Sequence, residues 1–266
     1  NLTPVTLELG GKSPAIIGPT LAGSPAFVRA VERIVIGKCL NAGQTCIAPD
    51  YVLLPAGLEH SFVHHARQVL ARCYPDIDHN GDYSTIVDQR QYARLVGYVD
   101  EARAAGANVV DLVPGATADP LRRHLPPLAL LDLDDGLRVM HEEIFGPLLP
   151  VIPYRDLGQA IRRVNERPRP LALYYFDSDQ GNIERVLDET VSGGVTVNDT
   201  ILHIAQEELP FGGVGPSGMG CYHGFAGFET FSVRKAVFRQ SRLSAIGLFK
   251  PPYGALFDRL TRILLR

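Results

Sequence analysis

The sequence has few cysteines, no run of basic residues and no long apolar stretch. Each of these absences argues against one class of protein. Its four cysteines, Cys39, Cys46, Cys73 and Cys221, show neither the pairing of a metal site nor that of a disulfide framework. With no basic run and a formal net charge of -3, nothing points to nucleic-acid binding. No apolar stretch approaches the roughly 20 residues that span a bilayer. No secretory signal pattern is present either, so we expect a cytoplasmic protein with reduced thiols.

The composition is that of an ordinary globular enzyme. Hydrophobic residues make up 45% and charged residues 21% of the 266 positions, enough for one large core or two small ones. Strand-like segments alternate with amphipathic helical segments, and this order predicts an α/β fold with a largely parallel sheet flanked by helices. The predicted helices cover residues 26–40, 58–74, 89–105, 157–165 and 179–189, and the predicted strands cover 5–9, 14–17, 50–54, 109–110, 128–131, 148–152, 171–176 and 195–197.

After Val197 the pattern changes. Residues 198–227 are rich in glycine and are predicted to form an ordered loop, and Phe228–Phe238 is predicted to be a strand that leaves the main body. A final helix follows, with an apolar stripe at Leu256, Phe257, Leu260, Ile263 and Leu264. Such a stripe predicts docking on the same protein or on a partner subunit, and attachment to a membrane surface is the alternative.

Cys46 ends the small, polar, glycine-containing turn Asn41–Cys46. A cysteine usually serves as a small buried hydrophobic residue, and Cys39 on the apolar helix has the surroundings for that role. Cys46 differs because its turn leaves the thiol accessible, and a thiol that attacks carbonyl groups needs access and a way to ionise. If a helix begins just after Cys46, its amide dipoles would help to hold the thiolate.

Glu8 supplies a carboxylate 38 residues earlier, in the segment Leu7–Lys12. A glutamate at a strand end is normally a solvated surface charge. Here it stands between Leu7 and Leu9, directly before two glycines that let the backbone bend closely around a ligand. A partly apolar pocket raises the pKa of a carboxyl group, which can then accept a proton from water near neutral pH. Hydrolysis of a thioester requires such a base.

A third motif is His141–Pro147, which contains two adjacent glutamates followed by Ile-Phe-Gly-Pro. From the residues alone it could be a polar loop in front of a strand.

Two other patterns look like ligand-binding motifs but lack the surroundings that such motifs need. Gly213, Gly215 and Gly218 fit a dinucleotide fingerprint but do not stand between a strand and a helix. His60 and His64 have zinc-like spacing without the accompanying glutamate, so we expect no metal.

The three motifs, in this order, resemble those of the aldehyde dehydrogenase superfamily, and the likeness runs from Leu7 to about Lys235. The sequences of three segments resemble those of its class 3 branch, which includes enzymes for fatty, aromatic and coniferyl-type aldehydes. These segments are Gly43–Tyr51, Asn198–Thr200 and Tyr222–Gly224. The resemblance implies oxidation of an aldehyde to a carboxylic acid with NAD or NADP, by a homodimer in which Phe228–Phe238 serves oligomerisation.

The resemblance also implies a role for each motif. Cys46 would be the nucleophile and Glu8 the general base, while Glu143 would bond the nicotinamide ribose and Phe145 would lie against the nicotinamide. Leu9 and Gly10 would be further nicotinamide neighbours. The implied domains are residues 1–11 as the end of a cofactor-binding domain, 12–218 as the catalytic domain and 219–266 as loop, oligomerisation strand and tail.

Two departures from the family pattern stand out. The gap between Glu8 and Cys46 is longer than usual, with an expected exposed insertion around Pro19–Pro25. The family's cofactor domain, with its oxyanion asparagine and its lysine for the adenosine ribose, does not occur in the chain. We therefore expect a C-terminal portion of a longer enzyme, with little activity of its own.

Two other classes of function stay open. In a cysteine hydrolase or acyltransferase, a histidine would activate Cys46, although no histidine lies in a recognisable motif. In a non-catalytic assembly fragment, the chain would act only through Phe228–Phe238 and the tail helix.

Overall fold

The computed structural model describes residues 2–265, which divide into two compact units, one ending at Phe231 and the other beginning at Ser232. The strands of the first unit are β1 (Leu7–Glu8), β2 (Pro14–Ile17), β3 (Tyr51–Pro55), β4 (Asn108–Asp111), β5 (Leu128–Leu131), β6 (Leu148–Tyr154), β7 (Ala172–Phe176), β8 (Gly194–Val197) and β9 (Gly218–Met219). Its helices are α1 (Pro25–Cys39), α2 (Glu59–Cys73), α3 (Gln89–Ala104), α4 (Arg138–His141), α5 (Leu157–Asn165), α6 (Gln180–Glu189) and α7 (Gly224–Thr230).

Seven of these strands form one sheet in the order β4-β5-β6-β3-β2-β7-β8. Every neighbouring pair is parallel except β4 and β5, which are antiparallel. β1 and β9 form a separate two-stranded antiparallel pair, in which Glu8 lies opposite Gly218. The predicted α/β fold with a largely parallel sheet is therefore confirmed.

Helices cover both faces of the sheet, so its central strands are apolar on both sides. Ala15 and Ile17 of β2 face the larger core cluster, which also takes in buried residues of α1, α2 and α3. Ile16, between them, faces the smaller cluster with residues of α5 and α6. This alternation follows from the period of two residues along a strand.

Local chemistry sets where several helices begin. The side chains of Asp88, Asp156 and Asp179 each accept the backbone N–H three residues ahead and so cap α3, α5 and α6. α1 has a proline in its first turn, where the missing N–H leaves no helical hydrogen bond unmade.

The insertion expected at Pro19–Pro25 is only partly exposed, because a short 3₁₀ turn, Pro19–Leu21, buries Leu21.

The three sequence motifs share one edge of the sheet. Residues 10–13 directly precede β2, residues 46–50 precede β3, and residues 143–147 precede β6. Because β6, β3 and β2 are parallel neighbours, their amino ends meet, and the segments that lead into them lie together. The fold thus gathers motifs that are far apart in the chain.

The second unit contains a 3₁₀ turn, Ala245–Leu248, and the predicted tail helix, α8 (Ala255–Leu264). The strand predicted at Phe228–Phe238 does not form: Phe228–Thr230 is the end of α7, and residues 232–241 have no regular structure. A strand needs a partner for its backbone groups, and no strand among residues 2–265 pairs with this segment. Across those same residues, no helix is long and apolar enough to cross a membrane.

Candidate active site

Cys46 lies in an irregular loop between α1 and β3. After α1 the backbone turns through three residues with positive φ, Asn41 (49°), Ala42 (52°) and Gly43 (75°). Gly43 is required there, because a Cβ at this position would stand 2.3 Å from the carbonyl oxygen of Gly146. The loop of Cys46 is thereby packed directly on the segment that follows Glu143.

The side chain of Gln44 fixes the other side of this loop. Its amide nitrogen donates to the carbonyl oxygens of Asn41 and Thr85, each at 3.0 Å. Its amide oxygen accepts the N–H of Val87 at 2.8 Å. The glutamine of the motif is therefore a structural residue that holds the turn in front of Cys46.

The structure brings Cys46 and Glu8 together, as expected. Burial of the half-buried thiol, then its hydrogen bond to Glu8 and the charge of that carboxylate, raise the pKa of Cys46 to about 12. The charge of Glu143 acts in the same direction. The thiol is therefore neutral at physiological pH, with a carboxylate beside it that can take its proton.

Two expectations about this pair are wrong. No helix begins after Cys46, because residues 45–48 form turns and bends and lead through Asp50 into β3. No amide dipoles of a helix therefore hold a thiolate there. Glu8 is exposed rather than enclosed in an apolar pocket. Its neighbours Leu7 and Leu9 are exposed as well. β1 has only two residues and one strand partner, so it cannot bury its side chains.

A buried ion pair that the sequence reasoning missed joins all three motifs. The ammonium group of Lys12 contacts the Asp50 carboxylate and donates to the carbonyl oxygens of Val139 at 2.8 Å and Glu142 at 2.9 Å. The second Asp50 oxygen accepts the N–H of Ile144 at 2.8 Å. Both side chains are almost fully buried, 9% and 4% exposed, so the pair fixes the relative positions of the loops.

Lys12 and Asp50 carried a signal in the sequence. Each is a charged residue directly in front of an apolar strand of the predicted sheet core. Charges at such positions are buried when the sheet forms, and buried charges need a partner of opposite sign.

Lys38 is a second buried lysine that we did not predict. Burial lowers its pKa to about 8, opposed first by the charge of Asp50 and, more weakly, by that of Glu143.

Glu143 lies against the glycine bend that follows Glu8. A Cβ on Gly10 would stand 2.6 Å from a carboxylate oxygen of Glu143, so only glycine fits. Burial raises the pKa of Glu143 to about 7, although a hydrogen bond from the Gly11 N–H acts in the opposite direction. Gly10 and Glu143 are thus brought together, as their predicted shared role requires.

Phe145 and Leu9 both present apolar surface near this carboxylate. Phe145 has a positive φ of 48° and a side chain that is 40% exposed, and Leu9 is 59% exposed. A half-buried carboxylate accepts ribose hydroxyl groups, and an exposed aromatic ring accommodates a flat heterocycle. These residues therefore fit one end of a nicotinamide dinucleotide.

The glycine-rich segment Pro210–Gly218 supports β1. It runs into β9, and the Leu9 N–H donates to the Ser217 carbonyl oxygen at 2.9 Å. A Cβ on Gly218 would stand 2.3 Å from the carbonyl oxygen of Leu7, so this glycine permits the close approach of the two strands. Across residues 2–265, no group of three histidine, cysteine or acidic side chains could hold a metal ion.

The comparisons with known proteins show the family of the chain. The model of the aldehyde dehydrogenase family matches residues 1–237, so the chain belongs to that family. A relative named probable coniferyl aldehyde dehydrogenase, from Pseudomonas aeruginosa, is 54% identical over 98% of this chain and 53% of its own length. A rat relative named dimeric NADP-preferring aldehyde dehydrogenase is 42% identical over 92% of the chain and 51% of its own length.

A solved structure gives the same result. The substrate-bound Staphylococcus aureus AldH superposes with a TM-score of 0.86 at 39% identity, covering 98% of this chain and 55% of its own. The chain thus spans about half the length of the relatives that it matches.

Proposed function

We propose that this chain forms the thiol-bearing half of an NAD(P)-dependent enzyme that oxidises an aldehyde to a carboxylic acid. The observation that carries the proposal is the pairing of the Cys46 thiol with the Glu8 carboxylate in an accessible loop. Membership of the aldehyde dehydrogenase family supports the reaction class. A carbonyl carbon that reaches this loop meets a nucleophile and a base together.

The high pKa of Cys46 defines the first step. Since the thiol is neutral, its proton passes to Glu8 as sulfur bonds to the aldehyde carbon, and the carbonyl oxygen becomes an oxyanion. When bound, NAD(P)⁺ would accept the hydride that the former aldehyde carbon loses as the thiohemiacetal becomes a thioester. Glu8, after releasing its proton, then takes a proton from the water that hydrolyses the thioester and frees Cys46.

Four residues would hold the nicotinamide end of the cofactor. The Glu143 carboxylate would accept ribose hydroxyl groups, and Phe145 would flank the ring. Gly10 and Leu9 would line the same place. The contact of Glu143 with Gly10 and the exposure of the two apolar side chains support this assignment.

The substrate and assembly proposals draw on the relatives. We propose an aromatic or medium- to long-chain aliphatic aldehyde as substrate, because a 54% identical relative is named for coniferyl aldehyde. We also propose a homodimer, because a 42% identical relative is named dimeric and Val233, Val237 and Phe238 are exposed in the single chain. Sedimentation of the full-length enzyme tests this second proposal.

The reaction is tested by Cys46→Ser in the full-length enzyme. We expect NAD(P)H formation from coniferyl or benzaldehyde to fall below the detection limit, whereas Cys73→Ser, on α2, keeps its turnover. Glu8→Gln should still allow the acyl-enzyme to form, because loss of the carboxylate lowers the pKa of Cys46 and more of the thiol is then already ionised, but it should slow the breakdown. Retained turnover in Cys46→Ser, or hydrolysis of a thioester substrate at full rate without any dinucleotide, would refute the proposal.

A further inference from the structure

Tyr222 reaches the carboxylate of Glu8 from a distant part of the chain. Its hydroxyl group donates a hydrogen bond to one Glu8 oxygen, Oε2, at 2.9 Å, although the two residues are 214 positions apart. The same carboxylate acts on the Cys46 thiol and raises its pKa. Glu8 therefore lies near both a phenol and a thiol.

The backbone of Tyr222 is held firmly. Tyr222 and Phe211 exchange two backbone hydrogen bonds, both 2.8 Å long, in an isolated antiparallel bridge. The Phe211 ring is buried and meets the Tyr222 ring edge-on at 5.7 Å, and the ring of His223 meets it at 4.7 Å. With two aromatic neighbours and a paired backbone, the phenol has little freedom to turn away.

The backbone of Glu8 is held by the same glycine-rich segment. Glu8 pairs with Gly218 in the two-stranded sheet, only four positions before Tyr222. A Cβ on Gly212 would stand 2.1 Å from the carbonyl oxygen of Gly220, so the segment that leads to Tyr222 is closely packed on itself. Both ends of the hydrogen bond are thus fixed by one compact piece of backbone.

We propose that Tyr222 is a positioning residue for Glu8: its hydroxyl group holds one carboxylate oxygen and leaves the other for the Cys46 thiol and then for the hydrolytic water. This inference rests on the proposed function. A donor on one oxygen fixes the orientation of the carboxylate, so the second oxygen stays directed at the thiol and the water. Holding one oxygen also limits rotation of a side chain that is otherwise exposed.

The Glu8 carboxylate raises the pKa of both Cys46 and Tyr222, and Glu143 also acts on Cys46. Burial, followed by the hydrogen bond and the charge of Glu8, raises the pKa of Tyr222 to about 12, so the phenol keeps its proton at physiological pH. It therefore acts as a donor throughout the reaction. The proton that the water loses goes to Glu8.

The test is Tyr222→Phe in the full-length enzyme, with Tyr92→Phe on α3 as the matched control. The acyl-enzyme is formed with p-nitrophenyl acetate, and its decay is followed by mass spectrometry after acid quench. We expect Tyr222→Phe to hydrolyse the acyl-enzyme about tenfold more slowly or worse, as for a lost hydrogen bond to a charged group, and to slow hydrolysis more than acylation.

A double variant separates positioning from structural damage. In a Glu8→Gln background, Tyr222→Phe should cause no further loss, because the group that it positions is already absent. Hydrolysis at the wild-type rate in Tyr222→Phe would overturn the proposal, as would an undiminished further loss in the double variant. Acylation of Cys46→Ser would instead show that the proposed function itself is wrong.

Discussion

The Gly43 Cα lies so near the Gly146 carbonyl oxygen that a methyl group added to Gly43 would stand 2.3 Å from that oxygen. This contact joins the loop of Cys46 to the segment that carries Glu143 and Phe145. The position of the thiol relative to the proposed cofactor residues therefore depends on the absence of one side chain.

Gly43→Ala tests the importance of this contact. Gly57→Ala is a matched control, because Gly57 also has a positive φ, 92°, but no heavy atom lies within 4 Å of its Cβ position. Gly57→Ala should cost only the backbone strain, about 1 kcal/mol. We expect Gly43→Ala to cost at least about 2 kcal/mol more in urea unfolding, since the clash requires backbone movement. Equal costs for the two variants would contradict the contact.

The buried pair of Lys12 and Asp50 predicts unequal effects of single and double substitutions. Lys12→Met leaves the Asp50 carboxylate without its cation, and removal of one partner from a buried ion pair typically costs about 3–5 kcal/mol. Lys12→Met combined with Asp50→Asn should recover part of that loss, because the carboxylate that has lost Lys12 is removed and the asparagine side chain can still accept the Ile144 N–H. Urea unfolding of Lys12→Met, Asp50→Asn and the double variant measures the three free energies of unfolding. A strictly additive result would show that the two residues act independently.

Glu8 should control the reactivity of Cys46 toward alkylating reagents. Since its hydrogen bond and its charge both raise the thiol pKa, Glu8→Gln should lower that pKa and increase the thiolate fraction. We expect iodoacetamide to modify Cys46 at least about threefold faster at pH 8 in this variant. Peptide mapping separates Cys46 from Cys73, whose rate should not change. A slower or unchanged rate at Cys46 would show that the carboxylate does not face the thiol.

The raised pKa of Glu143 predicts that its removal stabilises the protein in a pH-dependent way. The folded state raises this pKa from its ordinary value of 4.5 to about 7, so folding favours the protonated acid. The wild type therefore loses stability as pH rises from about 4.5 to 7, and Glu143→Gln, which cannot ionise, does not. Thermal unfolding should show equal Tm values at pH 4 and a Tm higher by about 2 °C or more for the variant at pH 8. A lower Tm for the variant at pH 8 would show that the ionised carboxylate is stabilised instead.

Much of the fold was accessible from the sequence because its signals are local. Proline, glycine and aspartate mark element ends, and the limits of β2, β5 and α5 were predicted to the residue. The predicted strand at Phe228–Phe238 failed because a strand is defined by its partner, which periodicity does not reveal. α7 was missed since its two glycines, Gly224 and Gly227, have low helix propensity.

The sequence predicted that the motifs would meet but not the electrostatics of the place where they meet. Cys46 and Glu8 were predicted to meet, and they do. The sequence could not show that burial raises the pKa of Glu143, because burial depends on what packs against each loop. One relationship could have been derived: each motif directly precedes a strand, and the amino ends of parallel strands meet.

The hydrogen bond from Lys12 to the Val139 carbonyl oxygen spans 127 positions of the chain. During synthesis the ribosome releases Cys46 long before Val139 and Ile144, and until those residues emerge the Cys46 loop has no packed neighbour across the sheet. The nascent thiol is then that of an unfolded peptide, with an ordinary pKa and open to oxidants and electrophiles. The raised pKa of Cys46 is therefore acquired only when the motifs have met at the sheet edge.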